Sequence, residues 1–376
     1  MSKKLFVILS VLLVASMALS ACKATAPTTA PVVTTEAPVV TTEAPVAATT
    51  EAPKFKVCQV TDTGGIDDKS FNATAWKGVT DAQTQLGIEG KYLESKEVAD
   101  FEKNINAFID EKCDLIITVG FLLGDATKAA AEAHPDLKFS IVDNSYNPAI
   151  ANVVSQAFQT DEASFLAGYL AAGVSKTGIV GTFGGMNIPT VSIFMDGFYR
   201  GVMHYNEVHG TTVKVLGWNP DDEAAGLFTN DFSDQQKGSD MATSLMDEGA
   251  DIILPVAGPV GLGAAAAIKA RSTADNPVYI IGVDSDWYLT APDYASIELT
   301  SVLKNMDVTT LNVIKSAMDG TFTGGNSVGN LANGGVGLAD YHDLASVVPA
   351  ELQAELDQVK ADILAGTITL NPAYKQ

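Results

Sequence analysis

The chain has 376 residues, of which 47% are hydrophobic and 18% are charged, so it can form a folded core and exceeds the usual length of one domain. Its 23 Lys and Arg residues face 45 Asp and Glu residues, which gives a net charge of −22. Phosphate backbones repel a chain this acidic, and this excludes nucleic acid as a partner.

The first twenty-two residues have the features of a secretory signal. Two early lysines precede an apolar run over residues 5–19, and small residues follow it. This run is shorter than the ~20 residues that a membrane-spanning helix needs. The tetrad Leu-Ser-Ala-Cys at 19–22 resembles a bacterial lipobox, which implies cleavage before Cys22 and a lipid on its sulfur. We therefore expect a signal peptide over residues 1–21, and a mature protein anchored by lipid to the extracytoplasmic face of the cell membrane.

A stalk is predicted over residues 22–54, behind the lipidated cysteine. Residues 23–53 contain only Ala, Thr, Pro, Val, Glu and one Lys, and the pentad Thr-Thr-Glu-Ala-Pro recurs along them. Recurrent proline blocks helix and sheet, and no large side chain is present to build a core. An extended spacer is the expected structure.

From Phe55 onward, short β-rich runs alternate with segments of helical periodicity, the first of them capped by Ser70. This pattern predicts an α/β protein with parallel sheets covered on both faces, and the length of this body favours two lobes. The predicted strands lie at 55–61, 114–119, 138–142, 177–183, 212–217, 251–256, 278–283 and 296–303. The predicted helices lie at 70–86, 101–109, 125–133, 161–173, 189–209 and 239–248.

Polar side chains follow several of these strands. Open parallel sheets bind ligands beyond the carboxyl ends of their strands, so these positions are candidates for a site. Three strands lead into Asp62, Asp143 and Asp284, the last leads into Lys304, and another leads into Gly258. One strand-terminal aspartate is usually a helix cap, but three of them with a lysine indicate a common binding site.

The chemistry of this set limits the ligand. Carboxylates accept hydrogen bonds and Lys304 donates them, while Phe71, Phe121 and Phe194 supply flat apolar faces. Such residues suit a neutral, planar ligand that carries hydroxyl groups, and they suit a phosphorylated ligand poorly. Core packing is the alternative role of each phenylalanine.

The remaining motifs give little support for catalysis. The glycine-rich run that starts at Gly258 lacks dinucleotide spacing, and Pro259 removes a backbone donor, so a helix N-terminus that touches a ligand hydroxyl is the better interpretation. The four histidines form no zinc motif and accompany no nucleophile motif. We predict no catalytic residue, no metal and no cofactor. Cys58 and Cys113 are interpreted as small core residues.

Several motifs along the body match the pattern of one family. Residues 60–72 read Val-Thr-Asp-Thr-Gly-Gly-Ile-Asp-Asp-Lys-Ser-Phe-Asn, and Trp76 follows. Residues 282–286 read Gly-Val-Asp-Ser-Asp, and Leu-Lys-Asn follows at 303–305. Shorter matches lie at 118–121, 139–143, 165–169, 175–178, 184–189, 194–198 and 256–258. The body therefore resembles the basic membrane protein family of solute-binding lipoproteins, the substrate receptors of ABC importers, several of which bind nucleosides.

The resemblance implies a type I periplasmic-binding-protein fold. Two Rossmann-like lobes would be joined by three crossing strands, with the ligand in the cleft between them. Lobe I would hold residues 55–157 and about 305–333, and lobe II would hold residues 158–304 and about 334–376.

The resemblance also implies roles for individual residues. Asp62, Phe71 and Asn72 would meet the base, with Phe121 and Asp143 nearby. Asp284 and Lys304 would hold the ribose hydroxyls, and Gly258 would let backbone approach the sugar. The predicted ligand site thus consists of Asp62, Phe71, Asn72, Phe121, Asp143, Phe194, Gly258, Asp284 and Lys304. Pro259 and the long acidic stretch at 219–234 depart from the family pattern, and both leave the ligand's identity open.

These observations predict a monomeric, lipid-anchored receptor that binds a nucleoside, with a purine favoured, and delivers it to the permease of an ABC importer. One alternative is a receptor for a sugar or another small polar metabolite. A surface nucleoside hydrolase would need a metal held by aspartates, but Asp67 and Asp68 are better explained as caps of the first helix. A surface adhesin or immune-signalling lipoprotein is the third alternative.

Overall fold

The computed structural model describes residues 54–374. The predicted signal peptide, the lipidation of Cys22 and the stalk up to residue 53 lie outside the described residues. Within residues 54–374, no helix combines the length and the apolar character that crossing a bilayer requires.

In this part of the chain, twelve strands and ten helices alternate. The strands are β1 (Lys56–Val60), β2 (Glu89–Leu93), β3 (Leu115–Val119), β4 (Lys138–Val142), β5 (Val153–Phe158), β6 (Ile179–Gly184), β7 (Lys214–Leu216), β8 (Ile252–Val256), β9 (Tyr279–Asp284), β10 (Glu298–Lys304), β11 (Gly325–Gly329) and β12 (Val336–Leu338). The helices are α1 (Phe71–Leu86), α2 (Asp100–Asp110), α3 (Gly124–Ala133), α4 (Thr160–Val174), α5 (Pro189–His209), α6 (Gln235–Asp247), α7 (Val260–Arg271), α8 (Trp287–Thr290), α9 (Met306–Asp319) and α10 (Ala350–Ala365).

The strands form two six-stranded sheets. The first has the order β11-β5-β4-β3-β1-β2, and the second has the order β12-β10-β9-β8-β6-β7. Neighbours are parallel except for β12, which runs antiparallel to β10. Central strands such as β3 and β8 are buried along their whole length, as strands covered by helices on both faces must be. We call the first sheet with its helices lobe I and the second sheet with its helices lobe II. Two mostly parallel sheets covered by helices confirm the predicted α/β fold class.

Three adjacent segments connect the lobes. The chain crosses after β5, after β10 and between β11 and β12. The backbone N–H of Gln159 donates to the carbonyl of Gly329 (2.8 Å), and that of Asn305 donates to the carbonyl of Gly335 (2.9 Å). A Cβ atom on Gly335 would lie 2.3 Å from the Cα atom of Gly329, so these two crossing backbones touch. The hinge therefore consists of three strands side by side.

A disulfide joins Cys58 and Cys113, whose Cα atoms are 6.1 Å apart. Both residues are buried in the core, as the sequence indicated, but the sequence did not reveal that they are bonded to each other. Cys58 lies in β1 and Cys113 lies two residues before β3, and the parallel pairing of these strands brings the two cysteines together. Both are buried on one face of the sheet of lobe I. Disulfides of this kind persist in oxidising compartments outside the cytoplasm.

Candidate ligand-binding site

A cavity of about 590 Å³ lies at the carboxyl ends of the strands, between the two lobes, and we call it the cleft cavity. The structure brings all nine residues of the predicted site to its wall. They are Asp62, Phe71, Asn72, Phe121, Asp143, Phe194, Gly258, Asp284 and Lys304. Residues from distant parts of the chain thus surround a common hollow.

An ion pair across the lobes forms one part of this wall. Lys304 ends β10 in lobe II, and its Nζ atom donates a hydrogen bond to the carboxylate of Asp143, which follows β4 in lobe I. The two side chains are 2% and 8% exposed. Burial raises the pKa of the Asp143 carboxyl, and the charge of Lys304 opposes this change. The pair therefore connects the lobes at the floor of the cleft.

Three aromatic rings surround the Lys304 ammonium group. Its Nζ atom lies 4.8 Å from the ring centroid of Phe71, 5.3 Å from that of Phe158 and 5.8 Å from that of Phe194. A cation within about 6 Å of an aromatic ring is attracted to it. The rings and Asp143 together hold the long side chain of Lys304 in a fixed position.

Asp284 mirrors Asp143 on the opposite lobe. Both residues have left-handed backbone conformations, with φ of 67° at Asp143 and 71° at Asp284. Aspartate tolerates this region better than most residues. The Oγ atom of Ser70, in lobe I, lies 3.0 Å from Oδ2 of Asp284 and 2.9 Å from the carbonyl oxygen of Val283. Burial raises the pKa of Asp284 to about 6, although Lys304 lowers it.

Asp62 and Asn72 form a second polar group, entirely from lobe I. Asn72 Nδ2 donates to Oδ1 of Asp62 at 2.8 Å, and the N–H of Gly64 donates to the same oxygen at 3.1 Å. Burial raises the pKa of Asp62, and these hydrogen bonds lower it. Gly120 has φ of 121°, and a Cβ atom there would lie 2.9 Å from Oδ2 of Asp62. Glycine at position 120 therefore leaves room for this carboxylate.

Asp68, rather than Ser70, caps helix α1. Its carboxylate accepts hydrogen bonds from the backbone N–H groups of Ser70, Asn72 and Ala73, whereas the Ser70 side chain makes no capping bond. The predicted cap at Ser70 is therefore wrong, and its hydroxyl is directed to Asp284 instead. Burial raises the pKa of Asp68 to about 7. Asp67 is exposed and pairs with Lys69.

Phe232 also lines the cleft cavity, although no sequence pattern indicated it. It lies in the acidic stretch at 219–234 of lobe II, and its ring packs so closely on Gly185 that a Cβ atom there would lie 2.2 Å from it. Next to it, Ser233 Oγ lies 3.5 Å from the carbonyl oxygen of Thr63 in lobe I. The one available signal was an aromatic residue in a loop that leaves the carboxyl side of lobe II.

The backbone N–H groups at the N-terminus of α7 are less available to a ligand than the sequence indicated. Pro259 has no N–H, and the N–H groups of Val260 and Gly261 donate to the carbonyls of Ala257 and Gly258. These groups are used within the turn, so the expected contact between this helix end and a ligand hydroxyl has no support here. Of the described residues that line the cleft cavity, Lys304 is the one with a basic side chain. The cavity thus suits a neutral ligand with hydrogen-bond donors better than a phosphate.

Metal-binding clusters are absent from the part of the chain that the structure describes. Among residues 54–374, no three or more His, Cys, Asp or Glu side chains are grouped so that they could hold a metal ion.

Comparisons with known proteins agree with this architecture. A family model described as "ABC transporter substrate-binding protein PnrA-like" matches residues 55–373. A protein of Listeria monocytogenes named CD4+ T-cell-stimulating antigen is 33% identical, over 84% of this chain and 87% of its own. The ABC transporter nucleoside-binding protein BmpA of Lactococcus lactis is 32% identical, over 84% and 88%. Basic membrane protein A of Borreliella burgdorferi is 32% identical, over 85% and 88%.

Solved structures show the same fold. An ABC transporter solute-binding protein of Aeropyrum pernix superposes with a TM-score of 0.76 and 25% identity, over 84% of this chain and 92% of its own. A transcriptional activator of the comK gene from Bacillus halodurans superposes with a TM-score of 0.65 and 20% identity, over 83% and 98%. The second likeness concerns the fold alone.

Proposed function

Because the chain belongs to the PnrA-like family of ABC transporter substrate-binding proteins, we propose that its cleft cavity binds a nucleoside, with a purine favoured, for delivery to the permease. The observation that carries this proposal is the composition of the wall, which joins strand-terminal aspartates and a lysine with aromatic rings from both lobes. The relative from Lactococcus lactis is named for nucleoside binding, which supports the same ligand class.

Asp284 and Lys304 are suited to the sugar. A carboxylate can accept about four hydrogen bonds, and Asp284 shares the single proton of the Ser70 hydroxyl with the Val283 carbonyl. The Lys304 ammonium has three donors, and Asp143 accepts one of them. Both groups therefore retain capacity for the neighbouring hydroxyls of a ribose, one as acceptor and the other as donor.

The cleft cavity also offers surfaces that are suited to a flat base. Phe71 of lobe I and Phe232 of lobe II supply aromatic surfaces on which a purine can stack. Asn72 Oδ1 is a buried acceptor without a partner among the described residues, while its Nδ2 is held by Asp62 and Asp68. An N–H group on the edge of a base can satisfy such an acceptor.

The setting of the receptor completes the proposal. We propose that the mature chain is a monomer anchored by a lipid on Cys22 at the extracytoplasmic face, with residues 22–54 as a spacer. The buried Cys58–Cys113 disulfide supports an oxidising environment. We also propose lobe boundaries at 55–157 with about 305–333, and at 158–304 with about 334–376; the sheet membership of β11 and β12 supports this division.

Isothermal titration calorimetry on the full chain tests this function. The panel contains adenosine, guanosine, inosine, cytidine, ribose and galactose, and Lys304→Met is compared with the exposed control Lys315→Met. We expect one site for a purine nucleoside, lost in Lys304→Met and kept in the control. Heat with a sugar and none with any nucleoside would overturn the proposal in favour of a sugar receptor.

A further inference from the structure

A second cavity, of about 450 Å³, lies beside the hinge, and we call it the back cavity. Its wall includes Phe158 and Thr160 at the first crossing, Lys304 at the second crossing, and Ala373 and Tyr374 near the C-terminus. None of the sequence motifs pointed to it. Its position behind the proposed sugar contacts makes it relevant to the choice of ligand.

The two cavities meet at Lys304. Lys304, Asp143 and Thr190 line both of them. The Lys304 ammonium lies 4.8 Å from the ring of Phe71, which faces the cleft cavity, and 5.3 Å from the ring of Phe158, which faces the back cavity. The ion pair therefore lies at the junction of the two cavities, and a ligand held by Lys304 lies next to both spaces.

The back cavity is suited to an uncharged group. Apolar side chains such as Phe158, Pro189 and Ile193 form much of its wall, with hydroxyl groups from two threonines and a tyrosine. Its charged residues are Lys304 and Asp143, which pair with each other. A phosphate would find no free cation among the described residues of this wall, whereas an alkyl or thioether group would bury apolar surface.

The C-terminal segment covers this cavity. Gln159 Nε2 donates to the carbonyl oxygen of Tyr374 at 2.7 Å, and the Tyr374 hydroxyl donates to Ser192 Oγ at 3.0 Å. These bonds tie the segment to the hinge and to α5. Ala373 also lines the cavity, and its side chain is small.

We propose that the back cavity is a subsite for the substituent at C5′ of a nucleoside, and that the receptor accepts purine nucleosides with an uncharged 5′ group. This inference rests on the proposed function. If Asp284 and Lys304 hold the 2′ and 3′ hydroxyls, C5′ is the remaining carbon from which a substituent can leave the sugar. The back cavity adjoins Lys304 on the side of Phe158.

The test compares adenosine with 5′-deoxy-5′-methylthioadenosine by calorimetry on the full chain. The wild type binds the methylthio compound at least as tightly as adenosine. Ala373→Phe places a large side chain in the cavity from an exposed segment. It lowers the affinity for the methylthio compound about tenfold or more and changes the affinity for adenosine less than about twofold. The matched control Ala373→Ser leaves both affinities unchanged.

Three results would overturn this inference. In the first, the wild type binds adenosine but binds the methylthio compound more than about tenfold more weakly, so the subsite is wrong and the proposed function stands. In the second, Ala373→Phe affects both ligands equally or affects neither, so the substituent does not enter the back cavity. In the third, neither compound binds and guanosine, inosine and cytidine do not bind either, so the proposed function fails as well.

Discussion

The two lobes place equivalent aspartates in the cleft cavity and satisfy them in different ways. Asp143 of lobe I follows β4 and Asp284 of lobe II ends β9, and each has positive φ. Asp143 receives an ammonium group from lobe II, whereas Asp284 receives a hydroxyl group from lobe I. Each lobe thus supplies the partner for the other lobe's carboxylate, so the hydrogen bonds that complete the site also hold the lobes together.

The difference in partner assigns different tasks to the two aspartates. Asp143 is bound by a charged donor and mainly positions Lys304. Asp284 keeps only a neutral donor, so more of its hydrogen-bonding capacity is left for a ligand.

The lobes also differ in covalent structure, because lobe I contains the Cys58–Cys113 disulfide and lobe II contains no cysteine.

The largest effect is expected when the ion pair is broken. Lys304→Met leaves the buried Asp143 without its partner and lowers the free energy of unfolding by about 3 kcal/mol or more. Nucleoside affinity falls by about 100-fold because a charged donor is lost. Urea unfolding and calorimetry measure the two effects. Adding Asp143→Asn to this variant recovers stability but not affinity; recovery of neither would mean that the pair is not what stabilises this region.

Removing the disulfide sharpens the contrast between the lobes. The double change Cys58→Ala and Cys113→Ala frees a long loop of lobe I in the unfolded state and lowers stability by about 2–4 kcal/mol. Nucleoside affinity at 25 °C stays the same, since neither cysteine lines the cleft cavity. Urea unfolding is measured with and without dithiothreitol. Reductant should destabilise the wild type alone, and equal loss in both proteins would contradict the assignment.

The acidity of Asp284 gives stability and affinity opposite pH dependences. Its pKa is raised to about 6 from 3.8, so the folded chain binds a proton that the unfolded chain has lost. Its contribution to stability is therefore greatest below about pH 4 and is lost as pH rises through about 6. Binding needs the ionised carboxylate as acceptor, so affinity rises about tenfold between pH 5 and pH 7.

Asp284→Asn is the control for the pH dependences of stability and of nucleoside affinity. Other buried carboxyls also titrate in this range, so the informative quantity is the difference between the wild type and the variant. The unfolding free energy of the wild type minus that of the variant should fall from pH 4 to pH 7. The variant's affinity should not rise with pH. A parallel rise of affinity in both proteins would assign the titration to another group.

The smallest effect is expected at the neutral contact. Ser70→Ala removes the hydroxyl that joins lobe I to Asp284, at a cost of about 1 kcal/mol, which corresponds to about fivefold in affinity. Ser316→Ala, whose hydroxyl donates only within its own helix to Val313, is the matched control and leaves affinity unchanged. If Ser70→Ala equals Lys304→Met in its effect, the proposed difference between the two aspartates is wrong.

Much of the site could be predicted from the sequence because parallel strands gather their carboxyl ends at one edge. Asp62, Asp143, Asp284 and Lys304 all end or follow apolar runs, and such runs are visible without a structure. Eight strands were predicted on the same basis. The fold and the site therefore followed from one regularity, the alternation of apolar strands with amphipathic helices.

The features that the sequence did not predict lie outside the alternation of apolar strands with amphipathic helices. β11 reads Gly-Asn-Ser-Val-Gly at the edge of its sheet, and β5 interrupts its apolar run with the buried polar residues Ser155 and Gln156. Phe232 lies in a loop, where no periodicity shows the direction of a ring. The disulfide depends on β1 pairing with β3 across 55 residues, which spacing alone does not reveal.

The decisive measurement is a crystal structure of the full chain with the purine nucleoside that binds best in calorimetry. We expect one molecule in the cleft cavity, with its base between Phe71 and Phe232 and its ribose hydroxyls on Asp284 and Lys304. A nucleoside on any other surface, or a cleft cavity that holds it without contact to Lys304, would contradict it.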